Sequence, residues 1–177
     1  MMALSGKAGI VTGSGGGGCG RATARRLAKE GASVVVSDID EDGGRETVSL
    51  IMQAGGRAAF FKADIRDESQ VRMLVDFGVE TYGGLDVLVN NASGPGYFPD
   101  EPLEYWRATV ETDLLGSMYA TLCAIDAMRR RGGGAIVNMC SISALPHGGK
   151  PEDVGGSPSY NVAKAGLISL TTGLAFL

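Results

Sequence analysis

The chain has 177 residues, 28 of them glycine, with 16 Lys and Arg against 20 Asp and Glu, a net charge of −4 and a pI near 5.0. Its 44% hydrophobic and 20% charged residues exclude a disordered chain, and the lack of a G-X-Y period excludes collagen. The mild acidity argues against a nucleic-acid partner, because the one basic cluster, Arg129-Arg130-Arg131, sits where it would complement a helix C-terminus before Gly132.

Taken from the N-terminus, the apolar pattern predicts a strand at residues 8–11 and a helix over 21–30 that stops at Gly31. A strand at 34–36 follows, then a helix over 41–54 with Val48, Ile51 and Met52 on its apolar face, and a strand at 58–61. The next helix, 68–82, is preceded by Asp67 with Gln70 three residues on, which resembles a capping box. Its stripe is Val71, Leu74, Val75 and Tyr82. After a strand at 87–89, one long helix is expected over about 103–131. It carries Leu103, Trp106, Val110, Leu114, Met118, Leu122, Ile125 and Met128 at three- and four-residue steps. A strand at 135–139 leads into a Gly- and Pro-rich stretch, 144–159, which reads as a loop over a site or at the surface. The strands are short, unbroken apolar runs of the kind buried on both faces. Their alternation with helices predicts an α/β, doubly wound parallel sheet in a single domain of residues 1–177.

The first residues lack the features of a signal peptide, and no run of 18 apolar residues occurs, so no membrane partner is expected. Cys19, Cys123 and Cys140 form no C-x-x-C pair, which points to a reduced, cytoplasmic setting. His147 is the only histidine, which leaves little basis for zinc chemistry or a His-based triad, and no metal site is expected.

Six glycines crowd the turn between the first strand and the first helix, Thr12-Gly13-Ser14-Gly15-Gly16-Gly17-Gly18-Cys19-Gly20. Glycines there let the backbone approach a pyrophosphate and aim the helix N-terminus at its charge. A phosphate loop of the nucleoside-triphosphatase kind is a near miss, since Arg21-Ala22 stands where Lys-Ser or Lys-Thr is needed. Asp38, closing the second strand, can accept hydrogen bonds from ribose hydroxyls and repel a 2′-phosphate, which favours NAD over NADP. The other reading of Asp38 is an ordinary turn residue before a helix.

Tyr160 and Lys164 stand i,i+4, on one face of a helix, where an ammonium favours the phenolate form. Alone, the pair would read as a surface tyrosine above a solvated lysine. It does not stand alone. Thr12-Gly13 with Gly18 and Gly20, then Asp64-Ile65, Asn90-Asn91-Ala92, Ser141 and Tyr160-x-x-x-Lys164 occur in order, each at its expected strand end. In this the whole chain resembles the short-chain dehydrogenase/reductase family. The resemblance implies a Rossmann fold and an NAD-dependent oxidoreductase acting on a small alcohol/carbonyl substrate. The catalytic residues would be Ser141, Tyr160, Lys164 and Asp113. Cofactor binding would fall to Gly13, Gly18, Cys19, Gly20, Asp38, Asp64, Ile65, Asn91, Tyr160 and Lys164. Tyr160 would exchange the hydroxyl proton, Ser141 would bond the substrate oxygen, and Lys164 would hold the nicotinamide ribose. Pairing through the long helix and the one opened by Tyr160 would give a homo-dimer or homo-tetramer.

Four departures from the family pattern stand out. The glycine loop carries one extra residue between Gly13 and Gly18. The NNAG turn reads Asn90-Asn91-Ala92-Ser93, and the family's Asn-x-x-Gly reads Asp113-Leu114-Leu115-Gly116. Asp113 lies near the apolar stripe, where an unpaired carboxylate would be costly, so a partner in Lys164 or a relay water is expected. Lastly, the chain ends at Leu177, inside the helix opened by Tyr160. The expectation is therefore a fold truncated after the fifth strand and that helix, without the substrate-covering segment. Asp113 and this ending raise a second reading, a nucleotide-binding protein without turnover. A Ser141/Lys164 acyl hydrolase is weak, for want of a G-x-S-x-G elbow.

Overall fold

The five apolar runs form five parallel strands: β1 (Ala8–Thr12), β2 (Ser33–Asp38), β3 (Arg57–Lys62), β4 (Val87–Asn90) and β5 (Ala135–Asn138). Their order is β3-β2-β1-β4-β5 in the computed structural model, which describes residues 2–95, 102–145 and 157–175. The helices are α1 (Cys19–Lys29), α2 (Glu41–Gln53), α3 (Glu68–Tyr82), α4 (Leu103–Thr109), α5 (Ser117–Arg130) and α6 (Pro158–Leu174). A π-helical segment, Val110–Gly116, joins α4 to α5, and a 3₁₀ turn, Ile142–Ala144, follows β5.

Alternate residues of β1 go to opposite faces, and this makes the sheet doubly wound. Ile10 joins Val35 and Leu88 under α3 and α5, where Val71, Leu74, Ala120 and Ala124 close one core. Val11 joins Val34, Val36 and Val89 under α1 and α2, closed by Ala24, Ala28 and Ile51. The flanking strands β3 and β5 are only part-buried, against the expectation of burial on both faces, because each has a single neighbour; Val137 of β5 is 47% exposed.

Local chemistry sets the element ends. Asp40 caps α2 by accepting from Gly43 N–H, and Asp67 caps α3 by accepting from Ser69 and Gln70 N–H. The box at Asp67 is not reciprocal, however. The Gln70 side chain donates to Asp67 Oδ2 and accepts from Asp64 N–H, tying the cap to the end of β3. Gly83, at φ 77°, ends α3 in the left-handed region open to glycine.

Two helical faces differ from the apolar count. In α2 the buried face is Gly44, Thr47 and Ile51, while Met52 is 61% exposed. A methyl group at Gly44 would overlap the Phe60 ring, so this helix packs on β3 through its smallest residue. The long helix is interrupted by the π segment, and its buried face is small or polar over most of its length, at Thr109, Asp113, Gly116, Ser117, Ala120 and Ala124, before Met128 enters the core as the stripe expected. Close packing explains it. A Cβ at Gly116 would lie 2.7 Å from Ile65 Cδ1, so large residues such as Leu103 and Leu122 are turned outward.

At the amino ends of the strands, Asp86 is buried and accepts from Ala8 N–H (2.9 Å) and Lys7 Nζ (3.0 Å). Arg131 completes this clasp, 3.3 Å from Asp86 and donating to the carbonyls of Gly83 (3.0 Å) and Gly6 (3.1 Å). Only Arg129 and Arg130 thus sit in the last turn of α5, and Arg131 is a long-range tie rather than a helix-end charge. Burial pushes the Asp86 carboxyl up, but the bonds from Ala8, Lys7 and Arg131 outweigh it and hold it below the ordinary range. No helix among the described residues is long and apolar enough to cross a membrane.

Candidate functional site

The carboxyl ends of the strands open onto a cleft of about 680 Å³ that runs from the glycine loop past Asp38 and Asp64 to Ser93 and Thr112. The loop is anchored at both ends. At one end Gly13, at φ 63°, lies so close to the turn after β4 that a Cβ there would be 2.5 Å from Ala92 Cα. Gly20 is buried, and a methyl group on it would overlap the Gly13 carbonyl oxygen. Thr12 Oγ1 accepts from the N–H groups of Asn91 and Ala92, and Asn91 Nδ2 donates to the carbonyls of Thr12 (3.0 Å) and Gly13 (2.8 Å). Asn91 therefore spends its amide N–H groups on holding the loop.

Ser14 and Gly15 are tied to the second βα unit. Ser14 Oγ donates to Val11 O and accepts from Ser37 N–H, and Thr47 Oγ1 donates to Ser14 O. Gly15 N–H donates to Asp38 Oδ2 at 2.7 Å. The extra loop residue is thereby absorbed in the exposed arc of Gly16, Gly17 and Gly18, whose missing side chains would meet nothing within 4 Å. Next comes α1, whose N-cap Gly18 offers no side-chain bond and whose first turn holds no acid. Its first N–H groups, beside the exposed Cys19, are left for an outside anion. This cradle fits the pyrophosphate of a dinucleotide.

Asp38, at the end of β2, accepts from Gly15 N–H on one oxygen and from Asp40 N–H (3.0 Å) on the other. It is both a turn residue and a wall of the cleft, so its two sequence readings are compatible. Asp64, after β3, is gripped by Arg66 Nε (2.9 Å) and Nη2 (2.5 Å), a bond that holds its carboxyl below the ordinary range. The neighbouring Ile65 lines the cleft from a buried position against Gly116.

A second group of residues gathers where α6 meets the π segment. Ser157 caps α6, its Oγ accepting from Tyr160 N–H, and Pro158 takes the first helical position, where its missing N–H costs nothing. Tyr160 and Lys164 then face one way, with Lys164 Nζ 5.2 Å from the centre of the Tyr160 ring. Lys164 is only 3% exposed. It donates to Met139 O at 3.0 Å and pairs with Asp113 Oδ2 at 3.0 Å. Asp113 is 0% exposed and also accepts from Ser93 Oγ (2.8 Å) and Gly94 N–H (2.6 Å). Ser141 stands two residues after Met139, its Oγ accepting from Ser143 N–H at 3.2 Å as the cap of the 3₁₀ turn, which packs on α6.

Tyr160, Lys164 and Asp113 are thus brought together, with Ser141 on the adjoining turn, while Gly13 to Gly20, Asp38, Asp64, Ile65 and Asn91 surround the cleft. His147, Tyr97, Phe98 and most of the 144–159 stretch lie outside the described residues. Trp106 is half-buried. Several contributors escape a reading of motifs. Arg21 donates to Gly15 O (2.6 Å) and Thr47 Oγ1 (2.9 Å) and pairs with Glu46, bracing the loop from α1. Arg66 and the Met139 carbonyl are also absent from the sequence expectations, whereas Ser93 was noted only as a departure in the NNAG turn, without its bond to Asp113. Arg21 carried a signal as the first residue after the glycines. Among the described residues no group of three or more His, Cys, Asp or Glu side chains is placed to hold a metal ion.

Residues 7–177 match the family described as short chain dehydrogenase. An uncharacterized oxidoreductase of Thermotoga maritima is 38% identical over 97% of this chain and 65% of its own length. The 7alpha-hydroxysteroid dehydrogenase of Escherichia coli K12 is 38% identical over 81% of this chain and 56% of its own. Among solved structures, a 7 alpha-hydroxysteroid dehydrogenase complexed with NADH and 7-oxo glycochenodeoxycholic acid superposes with a TM-score of 0.88 at 34% identity, covering 98% of this chain and 66% of that one. The chain spans less than two thirds of the length of these relatives.

Proposed function

Since the chain belongs to the short-chain dehydrogenase family, we propose that it binds NAD(H) in the cleft above its sheet and carries the proton-transfer residues of an alcohol–carbonyl oxidoreductase. The observation that carries this reading is the Lys164 ammonium beside the Tyr160 ring, at the strand ends that also bear the dinucleotide cradle. A bound nicotinamide would supply the hydride acceptor for the carbinol carbon of an alcohol, or the hydride donor for a carbonyl. Tyr160 takes the hydroxyl proton in the oxidation and gives it back in the reduction. Lys164 attracts the negative charge that develops on the Tyr160 oxygen and keeps one N–H for a ribose hydroxyl. Ser141 accepts from Ser143 N–H, which leaves its own hydrogen to donate to the substrate oxygen. Around the cofactor, the N-terminus of α1 receives the pyrophosphate, and the Asp38 carboxylate repels a 2′-phosphate, which favours NAD.

The test is to titrate the chain with NADH and NADPH and then follow NADH absorbance with a panel of ketones. Tighter NADH binding, turnover of at least one ketone, and a Tyr160→Phe variant that binds but does not turn over are expected. Equal affinity for NADPH would remove the role given to Asp38, and turnover by the Phe variant would remove that of Tyr160. A second reading, dinucleotide binding without turnover, is favoured by the Asp113 carboxylate that occupies Lys164. It predicts NADH binding with no reaction on any ketone.

A further inference from the structure

Two of the departures from the family pattern meet in space. Ser93 stands where the NNAG turn has glycine, and Asp113 where the following motif has asparagine, and the Ser93 hydroxyl donates to Asp113 Oδ2 at 2.8 Å. The rest of the environment of Asp113 is equally one-sided. Gly94 N–H donates to Oδ1 at 2.6 Å, and the Lys164 ammonium lies 3.0 Å from Oδ2. Both oxygens therefore face donors. Of these, the Gly94 N–H and the ammonium have no lone pair to offer, and only the Ser93 hydroxyl can turn and accept.

An amide at position 113 fails in either orientation. With its oxygen toward Gly94, its NH₂ meets the Lys164 ammonium. With its oxygen toward Lys164, its NH₂ meets Gly94 N–H. One donor–donor contact is unavoidable in a site with no water-facing surface on Asp113. A carboxylate has no such conflict and also neutralises the buried ammonium.

We propose that Ser93 and Asp113 are a matched pair, a carboxylate brace built into this chain, in which Ser93 is a positioning residue that holds the Lys164 ammonium through Asp113. Ser93 and Gly94 line the dinucleotide cleft, whereas Asp113 lies behind them. The brace therefore connects the cleft wall to Lys164 by an unbroken run of bonds, Ser93 to Asp113 to Lys164 to Met139 O. Its meaning for catalysis rests on the dehydrogenase reading; the brace itself does not.

The experiment follows the ¹H–¹⁵N signals of the lysine ammonium groups in the chain and the rate at which they exchange with water. The wild type should show one slowly exchanging ammonium, assigned to Lys164. Ser93→Ala should speed that exchange about tenfold, the scale of one hydrogen bond to a charged group, while Ser93→Thr keeps the wild-type rate. Asp113→Asn should speed it at least as much, and adding Ser93→Ala to Asp113→Asn should change nothing more. The brace is refuted if Ser93→Ala leaves the exchange unchanged, if Asp113→Asn does, or if the two effects multiply. Should Asp113→Asn fail to fold, the Ala and Thr variants of Ser93 decide the matter with Asp113 in place. NADH is titrated into the same samples: a wild type that does not bind it defeats the dehydrogenase reading, while the exchange rates still judge the brace.

Discussion

Removing the Asp113 side chain should be the most damaging single change near the site. Asp113→Ala leaves the ammonium of the buried Lys164 with the Met139 carbonyl as its one remaining hydrogen-bond acceptor among the described residues, and takes the acceptor from Ser93 Oγ–H and Gly94 N–H as well. Breaking a buried ion pair from one side costs about 3–5 kcal/mol. In a chain of this length each kcal/mol moves Tm by about 2–4 °C, so a fall of roughly 6–20 °C is expected. Urea unfolding followed by circular dichroism reads the same loss as a lower midpoint at unchanged slope. The reasoning assigns the cost to the stranded charge. The double variant Asp113→Ala with Lys164→Met, which removes that charge and keeps the stem, should therefore recover about 2 kcal/mol or more. If the double variant is no more stable than Asp113→Ala, the cost lies in lost packing and the electrostatic account is wrong.

Three further outcomes are expected. Hydrogen bonds from the Ser69 and Gln70 side chains hold the Asp67 carboxyl at about 2 against an ordinary 3.8. A depressed carboxylate stabilises the fold above its unfolded value, so the stability gap between wild type and Asp67→Ala should be full above about pH 4 and close as pH falls toward 2. Gly44→Ala pushes a methyl group into the Phe60 ring; it should cost about 1–3 kcal/mol in urea unfolding, and Phe60→Leu should relieve it, whereas equal loss in both backgrounds would contradict the contact. Arg131→Ala removes two carbonyl bonds and one partner of Asp86, and should lower stability by about 1–3 kcal/mol with the loss growing smaller as acid protonates Asp86.

The strands and the glycine turn were legible because both are local: a run such as Val34-Val35-Val36 names its own structure, and glycines before a helix name the loop. What escaped depends on partners distant in sequence. Nothing in the spacing of 103–131 announces the π segment, because its inward turn at Asp113 answers to Lys164, Ser93 and the close seat of Gly116 on Ile65. Met52 looked like a core residue by period alone, but Gly44 and Thr47 carry the contact, since helix and strand approach too closely for larger groups. The motif residues were named at their places, and the pairing of Asp113 with Lys164 followed from the cost of an unpaired buried carboxylate, yet most of the other bonds were not. Asn91 turns its side chain to the Gly13 carbonyl 78 positions away, a partner that no one-dimensional pattern contains.

The clasp at the amino ends of the strands bears on how the chain assembles. Arg131 reaches back to the Gly6 carbonyl across 125 positions of sequence, so the tie cannot form until most of the sheet is in place to bring the two together. In chain order β1 to β4 and Asp86 all precede Arg131, the last partner of this clasp. In the folded chain the guanidinium of Arg131 acts as a latch, joining Asp86 just before β4 to the Gly6 carbonyl just before β1.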